Sequence, residues 1–415
     1  MKTSLLCLAT CGLVLASCQK TEILDNAPSN LNKISFLTNT TRSAITDLAG
    51  LEKDGDGFVV YGTSADATTS FYTNVDGTNN YYYSSPKWTW KNTAPVWPTA
   101  TAGYPMNFYA FHPATHDSYS ADASSVLNGS ATITKIITIQ PTAATQADLL
   151  SAITPKVTVK PASGSLGLAF NHITSKVNFD IIAGTNITTY VQQVNANNLT
   201  NTATFNYVTG AYAAVATGSA NYDYWGSTTA SSAKATFTAP TADETTANPM
   251  YEATANASLM LMPQTTTAWD VEAYKTAKAW ATPTGAYIGM VYRLESATNK
   301  NAVGYAKAQD HPGYVEATHS ALKDKPLFIK VGFSFAPSWT MGKGYIYNIK
   351  LGTLDASNGN IIGENYLDGD GNDSGLPVLD NNNKPVKPGD PVASGTIGFI
   401  VSVGNWDNQT AMEIK

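Results

Sequence analysis

Cysteine is nearly absent from this chain, and its placement is informative. The three copies, Cys7, Cys11 and Cys18, all lie within the first 18 of 415 residues. A disulfide framework, a thiolate metal site and a Cys–His nucleophile inside the fold are therefore excluded. Charge is sparse too. Asp, Glu, Lys and Arg make up 13% of the residues, so the polar surface must come from Thr, Asn and Ser, which suit sheet faces and turns. The net charge is −6 and no basic stripe runs along the chain, which argues against nucleic acid as a partner. Arginine occurs twice, at Arg42 and Arg293, among 25 basic residues. No apolar run beyond the N-terminus approaches the roughly 20 residues that a membrane-spanning helix needs. Helical periodicity is almost missing.

Catalytic signatures are missing as well. No Gly-x-Ser-x-Gly elbow, His-Glu-x-x-His helix, phosphate loop or dinucleotide glycine motif occurs, so neither an enzyme nor a cofactor is predicted. His112 and His116 are four apart, but Pro113 between them forbids the helix that a zinc face would require. Packing accounts for them, and for His172 in an alternating strand.

What is present is a signal for export. Lys2, the apolar stretch Leu5 to Ala16 and the small residues after it read as a signal peptide over 1–17. Leu15-Ala16-Ser17-Cys18 resembles the bacterial lipoprotein signal, in which Cys18 is acylated and becomes the first residue. Each buried acyl methylene contributes roughly 0.8 kcal/mol, so several chains anchor a protein firmly. Residues 18–32 are polar and read as a tether.

The remainder is all-β. With 43% hydrophobic and 10% aromatic residues it can fill sandwich cores. Short alternating runs broken by turn residues recur: Lys33–Thr38, Phe58–Tyr61, Ser70–Val75, Ile133–Ile139, Leu166–Phe179, Val191–Asn195, Ala203–Tyr207, Ser258–Met262, Tyr287–Leu294, Leu327–Phe335, Tyr345–Ile349 and Ile397–Val403. The expected organisation is an N-terminal β-sandwich over 33–158 and a C-terminal one over 159–415. Loop insertions are expected at about 218–248 and 367–393.

Two other features carry chemistry. Asp368, Asp370 and Asn372 have the one-three-five spacing of calcium ligands, but Asp373 stands where the sharp turn needs glycine and Leu379 where a bidentate acid belongs. Turn chemistry explains the same residues. Tyr81 to Tyr83 with Trp88, Trp90 and Trp97 offer ring faces on which a sugar can stack. Tryptophans at a period of two favour the core, whereas the tyrosines fit either role.

The order of these motifs resembles the fimbrillin family, the lipoprotein-derived pilins of the Bacteroidales type. The matching stretches are Ile34 and Phe36 with Arg42, Phe58 to Tyr61, Trp88-Thr89-Trp90 with Trp97-Pro98, and Phe108 to Phe111 with Pro113. Asp148 to Leu150, Leu168 to Val177, Met262-Pro263-Gln264, Gly344 to Tyr347 and Val401 to Trp406 follow in the same order. The resemblance implies two transthyretin-like Greek-key β-sandwiches in tandem and a precursor anchored to the outer membrane by lipid. It also implies cleavage by an arginine-specific protease and exchange of the first strand for one from another pilin subunit. Carried onto this chain, the lipidated residue is Cys18 and the cut falls between Arg42 and Ser43. The expelled strand, Lys33–Thr38, holds Ile34 and Phe36. The tail offers Thr410, Met412 and Ile414 on one face as a short donor. Arg293, in the run 287–294, is expected to be protected by folding. A rival from another class is a tip adhesin or surface glycan-binding lipoprotein that meets host or bacterial glycans or proteins and does not polymerise through its C-terminus.

Overall fold

The structure is a computed structural model. It describes residues 35–40, 57–64, 70–72, 81–84, 87–92, 94–98, 104–114, 134–162, 164–184, 186–215, 220–225, 235–238, 248–249, 258–296, 298–352, 359–392 and 397–405. The described fold is all-β, as its alternating runs require. Strands β1 (Ser35–Thr40), β2 (Gly57–Ser64), β3 (Ser70–Tyr72), β4 (Tyr81–Ser84), β5 (Lys87–Trp90) and β6 (Met106–His112) begin the first sheet. Strand β7 (Thr134–Thr138) leaves for another sheet, and β8 (Leu150–Val157) and β9 (Ser165–His172) return to complete the first. Its order is β1-β9-β8-β6-β2-β4-β5, with β3 beside β2.

This sheet is buried on both faces at its centre. Met106 to His112 are buried at every position, so a run with no polar alternation marks a strand covered on both sides. One face packs Phe58, Val60, Phe108, Leu168 and Phe170 against Trp90 and Trp97. The other carries Val59, Tyr61, Tyr109 and Phe111 into a larger core that runs on through the second half of the chain.

Strands β10 (Ser175–Ala183), β11 (Ile187–Leu199), β12 (Thr202–Asn206) and β13 (Ala211–Val215) come next. Strands β14 (Ala220–Trp225), β15 (Ala235–Thr238), β16 (Asn248–Pro249) and β17 (Leu259–Leu261) precede a short helix, α1 (Val271–Ala277). Then come β18 (Tyr287–Ser296), helix α2 (Glu316–His319), β19 (Ile329–Ser334), β20 (Lys343–Leu351), β21 (Asn360–Ile361), β22 (Asn365–Leu367), β23 (Asp373–Pro377) and β24 (Ile397–Asn405). They form one sheet in the order β16-β10-β20-β24 with β17 beside β10, and another in the order β14-β11-β18-β19-β21 with β15 beside β11. Phe179, Tyr347, Val191, Val194, Met290 and Tyr292 belong to the shared core of this half. A small sheet, β13-β12-β7, joins the two halves.

Three expectations meet a different arrangement. The run Leu166–Phe179 reads as one alternating segment, yet it breaks at Ile173 and Thr174 into β9 and β10, which lie in different sheets. The division placed at 158/159 is crossed in both directions: β9 belongs to the first sheet, and β7 pairs with β12. The stretch 218–248, expected as a loop insertion, supplies β14 and β15, both paired with β11. Its threonines and tyrosines suit a pleated surface, and Tyr222 and Tyr224 are buried there.

The stretch 367–393 is not a bare surface excursion. Leu376, Val378 and Val392 are buried, as is Tyr366 just before them. The β22–β23 hairpin also bonds to the neighbouring connection, Phe328 N–H donating to Leu367 O at 2.8 Å and Leu367 N–H returning to Phe328 O at 2.9 Å. Among the described residues no helix is long and apolar enough to cross a membrane.

Candidate functional site

The site is built around the outer edge of the first sheet. Strand β1 runs parallel to β9 in a register from Ser35 opposite Ser165 to Thr40 opposite Phe170. Among the described residues it is the end strand of its sheet and pairs on one flank. Strand β9 alternates cleanly: Leu166, Leu168 and Phe170 are buried while Gly167, Ala169 and Asn171 are exposed. Its other neighbour, β8, pairs with it only at Phe170, Asn171 and His172. Among the described residues, the ladder partners of Leu166 to Ala169 therefore come from β1.

Two contacts hold the mouth of this edge. Thr154 Oγ1 donates to Gly167 O at 3.2 Å, and Trp97 Nε1 donates to Gly164 O at 2.9 Å. Gly167 has open space where a Cβ would stand. The result is an apolar inner face fixed in the core and an outer edge held by one short strand. Each ladder bond contributes about 1 kcal/mol net, so β1 stabilises the sheet by a few kcal/mol.

The expected strand Lys33–Thr38 is thus found two residues later. Phe36 lies in β1, whereas Cys18, Ile34, Arg42, Ser43 and the tail with Thr410, Met412 and Ile414 fall outside the described residues. Toward the other end of the chain β24 is also an end strand among the described residues, paired antiparallel with β20 over its whole length, from Ile397 opposite Leu351 to Asn405 opposite Lys343.

Arg293 sits in the opposite kind of environment. Strand β18 pairs with β11 along its length and with β19 from Tyr287 to Tyr292. The Arg293 residue is 6% exposed. Its guanidinium lies 4.1 Å from the centre of the Tyr190 ring and 5.8 Å from that of Phe328, and it forms an ion pair with Glu295. Tyr190 OH donates to Glu295 Oε2 at 3.2 Å, and Lys300 Nζ stands 3.8 Å from the same oxygen. Burial pushes the Glu295 carboxyl up. Arg293's hydrogen bond and charge, with Tyr190 and Lys300, outweigh that and hold it below its ordinary value.

The calcium-like turn holds a cation already, in the form of a lysine. Asp368 Oδ1 accepts from the N–H groups of Asp370 and Asn372, both at 2.9 Å. Lys325 Nζ donates to Asp368 Oδ2 at 3.2 Å and to Asp370 Oδ2 at 2.7 Å. Among the described residues no group of three or more His, Cys, Asp or Glu side chains is placed to hold a metal.

Most of the aromatic candidates lie in the core. Tyr81, Trp90 and Trp97 are buried, Tyr81 packing edge-on against Trp90 at 5.1 Å and Trp97 against Phe108 at 5.7 Å. Tyr82 is half-buried. The rings of Tyr83 and Trp88 lie outside the described side chains. The described histidines have structural roles: His112 bonds Gly57 O at 3.0 Å, and His172 Nδ1 donates to Asp148 at 2.8 Å. His311 bridges Gly313 and Pro377, while His319 accepts from Val315 N–H.

Sequence reasoning did not single out the edge of β9. Its alternation is visible, but nothing local in Leu166 to Phe170 says that the neighbour on one side is the start of the chain. Nor does any local signal link Tyr190 to Arg293.

Such a molecule is a β-sandwich protein whose first and last described strands each end a sheet. The chain belongs to the fimbrillin-like family, whose profile matches residues 41–364. A fimbrial protein from Bacteroides vulgatus ATCC 8482 is 12% identical, with 90% of this chain aligned to 99% of that one at a TM-score of 0.55, and shares its fold. The fimbrial anchor protein Mfa2 from Porphyromonas gingivalis is 9% identical over 78% of this chain and 91% of its own, with a TM-score of 0.31. No curated protein sequence matches. Family membership supports a role as a pilus subunit in a cell-surface fimbria.

Proposed function

We propose that this chain is a non-enzymatic structural subunit of a surface pilus, made as an outer-membrane lipoprotein acylated at Cys18. Cleavage between Arg42 and Ser43 then frees the strand at 35–40, and like subunits join by filling the vacated edge. Two transthyretin-like Greek-key sandwiches are the framework this reading assumes. The observation that supports it is the pairing of β1 on one flank among the described residues, which makes β1 the ladder partner of the first half of β9.

Loss of β1 exposes unpaired N–H and C=O groups beside an apolar face, and a strand from another chain satisfies both at once. The donor must alternate. The stretch after β24 does so at Thr410, Met412 and Ile414. A donor at one end and an acceptor at the other make a heterologous contact that propagates without closing.

The test is treatment of the purified full chain with an arginine-specific protease, followed by N-terminal sequencing and electron microscopy. Stable material starting at Ser43 and forming filaments is expected. An uncut Arg42, or a product that unfolds once cut, removes the basis for the proposal.

A further inference from the structure

The chain contains two arginines, and the fold treats the second as something to be covered. The Arg293–Leu294 peptide lies in a strand joined on one flank to Tyr190 and Thr189 of β11. On the other flank, the N–H of Leu294 donates to Val303 O at 2.9 Å, and Val303 N–H returns to Leu294 O at 3.2 Å. Gly304 lets this strap lie close. It has a φ of +76°, and a Cβ there would strike Leu327 O and stand 3.0 Å from Arg293 Cγ. The side chain is enclosed by Tyr190, Phe328 and Glu295.

An endoprotease binds several residues in an extended, unpaired form. To reach this peptide it needs β18 lifted from β11 and from the Val303 strap, which dismantles the centre of the second half. We infer that Arg293 is a latent cleavage site masked by folding, so that one arginine-specific protease matures a folded subunit and destroys an unfolded one. Hydrolysis at Arg293 adds water across the peptide bond, leaving a carboxylate on Arg293 and an amine on Leu294. The cut falls inside a core strand, so neither fragment retains an intact second half. The maturation half of this inference rests on the reading of Arg42 given above, whereas the masking of Arg293 stands on its own geometry.

The experiment uses the full chain, an arginine-specific endoprotease active in urea, and sequencing of each new N-terminus. The unfolding curve is measured separately by tryptophan fluorescence. In buffer the product starting at Leu294 should be undetectable, and its rate should rise more than about a thousandfold across the unfolding transition, following the open population. Glu295→Gln, in a form that still folds, should speed release of the Leu294 product without changing the rate at Arg42. If that variant does not fold, the wild-type urea series decides alone. A Leu294 product formed in buffer as fast as in urea would falsify the masking, and so would an Arg293 left uncut in the unfolded chain. Absence of the Ser43 product counts against the processing reading alone, whatever happens at Leu294.

Discussion

Strands β1 and β18 mark the extremes of attachment in this molecule. The first is six residues long and, among the described residues, paired on one flank, parallel to β9. The second is ten residues long, buried from Tyr287 to Leu294, and paired antiparallel on both flanks. A strand held on one side can leave and be replaced, because its loss opens one edge. A strand held on both sides leaves only with the sheet. Arg42 lies two residues after β1, and Arg293 lies within β18.

Proline gives the sharpest contrast, since it removes a ladder N–H and is tolerated in sheets only at edges. Val291 is buried and stands between Gln193 and Lys330. Val291→Pro should abolish the cooperative urea transition. Leu37→Pro in β1 should lower stability by about 1 kcal/mol, the net worth of one ladder bond, and leave the transition cooperative. Comparable losses for the two variants would mean that β1 is no more detachable than β18.

The edge is weak only on its outer side. Phe170 is 1% exposed and packs edge-on against Phe58 with ring centres 5.2 Å apart. Phe170→Ala should cost about 3–5 kcal/mol in urea denaturation, although the same residue faces β1 along its backbone. A loss below about 1 kcal/mol would show that β9 is not anchored by its inner face, and that the acceptor edge is not rigid after β1 departs.

Much of this contrast was legible in the chain and some was not. The alternation at Leu166, Leu168 and Phe170 and the unbroken apolar run of β6 announce a one-face and a two-face strand, because side-chain period is a local property. Pairing is not local. Nothing between Leu166 and Phe179 marks the passage from one sheet to another at Ile173. The threonine-rich stretch with β14 and β15 looks like a loop until Tyr222 and Tyr224 find a core. Counting arginines required no structure. The cover over Arg293 did, since it comes from Tyr190, which is distant in sequence, and from Phe328. The calcium-like spacing at Asp368, Asp370 and Asn372 was equally legible, but Lys325, which pairs with both aspartates, comes from another connection.

The cover over Arg293 has an electrostatic part with a definite pH signature. Removing one partner of a buried ion pair costs about 3–5 kcal/mol, and Tyr190 keeps Glu295→Gln near the lower figure. Glu295 titrates below its ordinary 4.5 in the fold, so its contribution is complete above that value and is lost as pH falls through the lowered one. The gap between wild type and Glu295→Gln should therefore be full at pH 7 and shrink toward pH 3 in paired urea titrations. A gap independent of pH would assign the effect to packing.

The smallest effect comes from His311, which ties the connection 298–328 to the β22–β23 hairpin beside β18. Its Nδ1 accepts from Gly313 N–H at 2.9 Å, so Nε2 carries the hydrogen and donates to Pro377 O at 3.0 Å. Tyr305 and Tyr366 pack edge-on against the ring, and the nearby His319 ring opposes a second positive charge there. A proton on Nδ1 would meet the Gly313 N–H and break that bond. Burial lowers the His311 value from 6.5, with the Pro377 hydrogen bond raising it and His319 lowering it further. The unfolded chain then binds the proton more readily than the folded one. His311 thus contributes stability that is complete above about pH 6.5 and declines as pH falls through the lowered value. Wild type should lose more stability than His311→Gln between pH 7.5 and 5, by less than the Glu295 effect, and NMR should place the imidazole below its ordinary range. An imidazole titrating at or above 6.5 would mean that burial does not disfavour the proton here, and would remove this pH dependence.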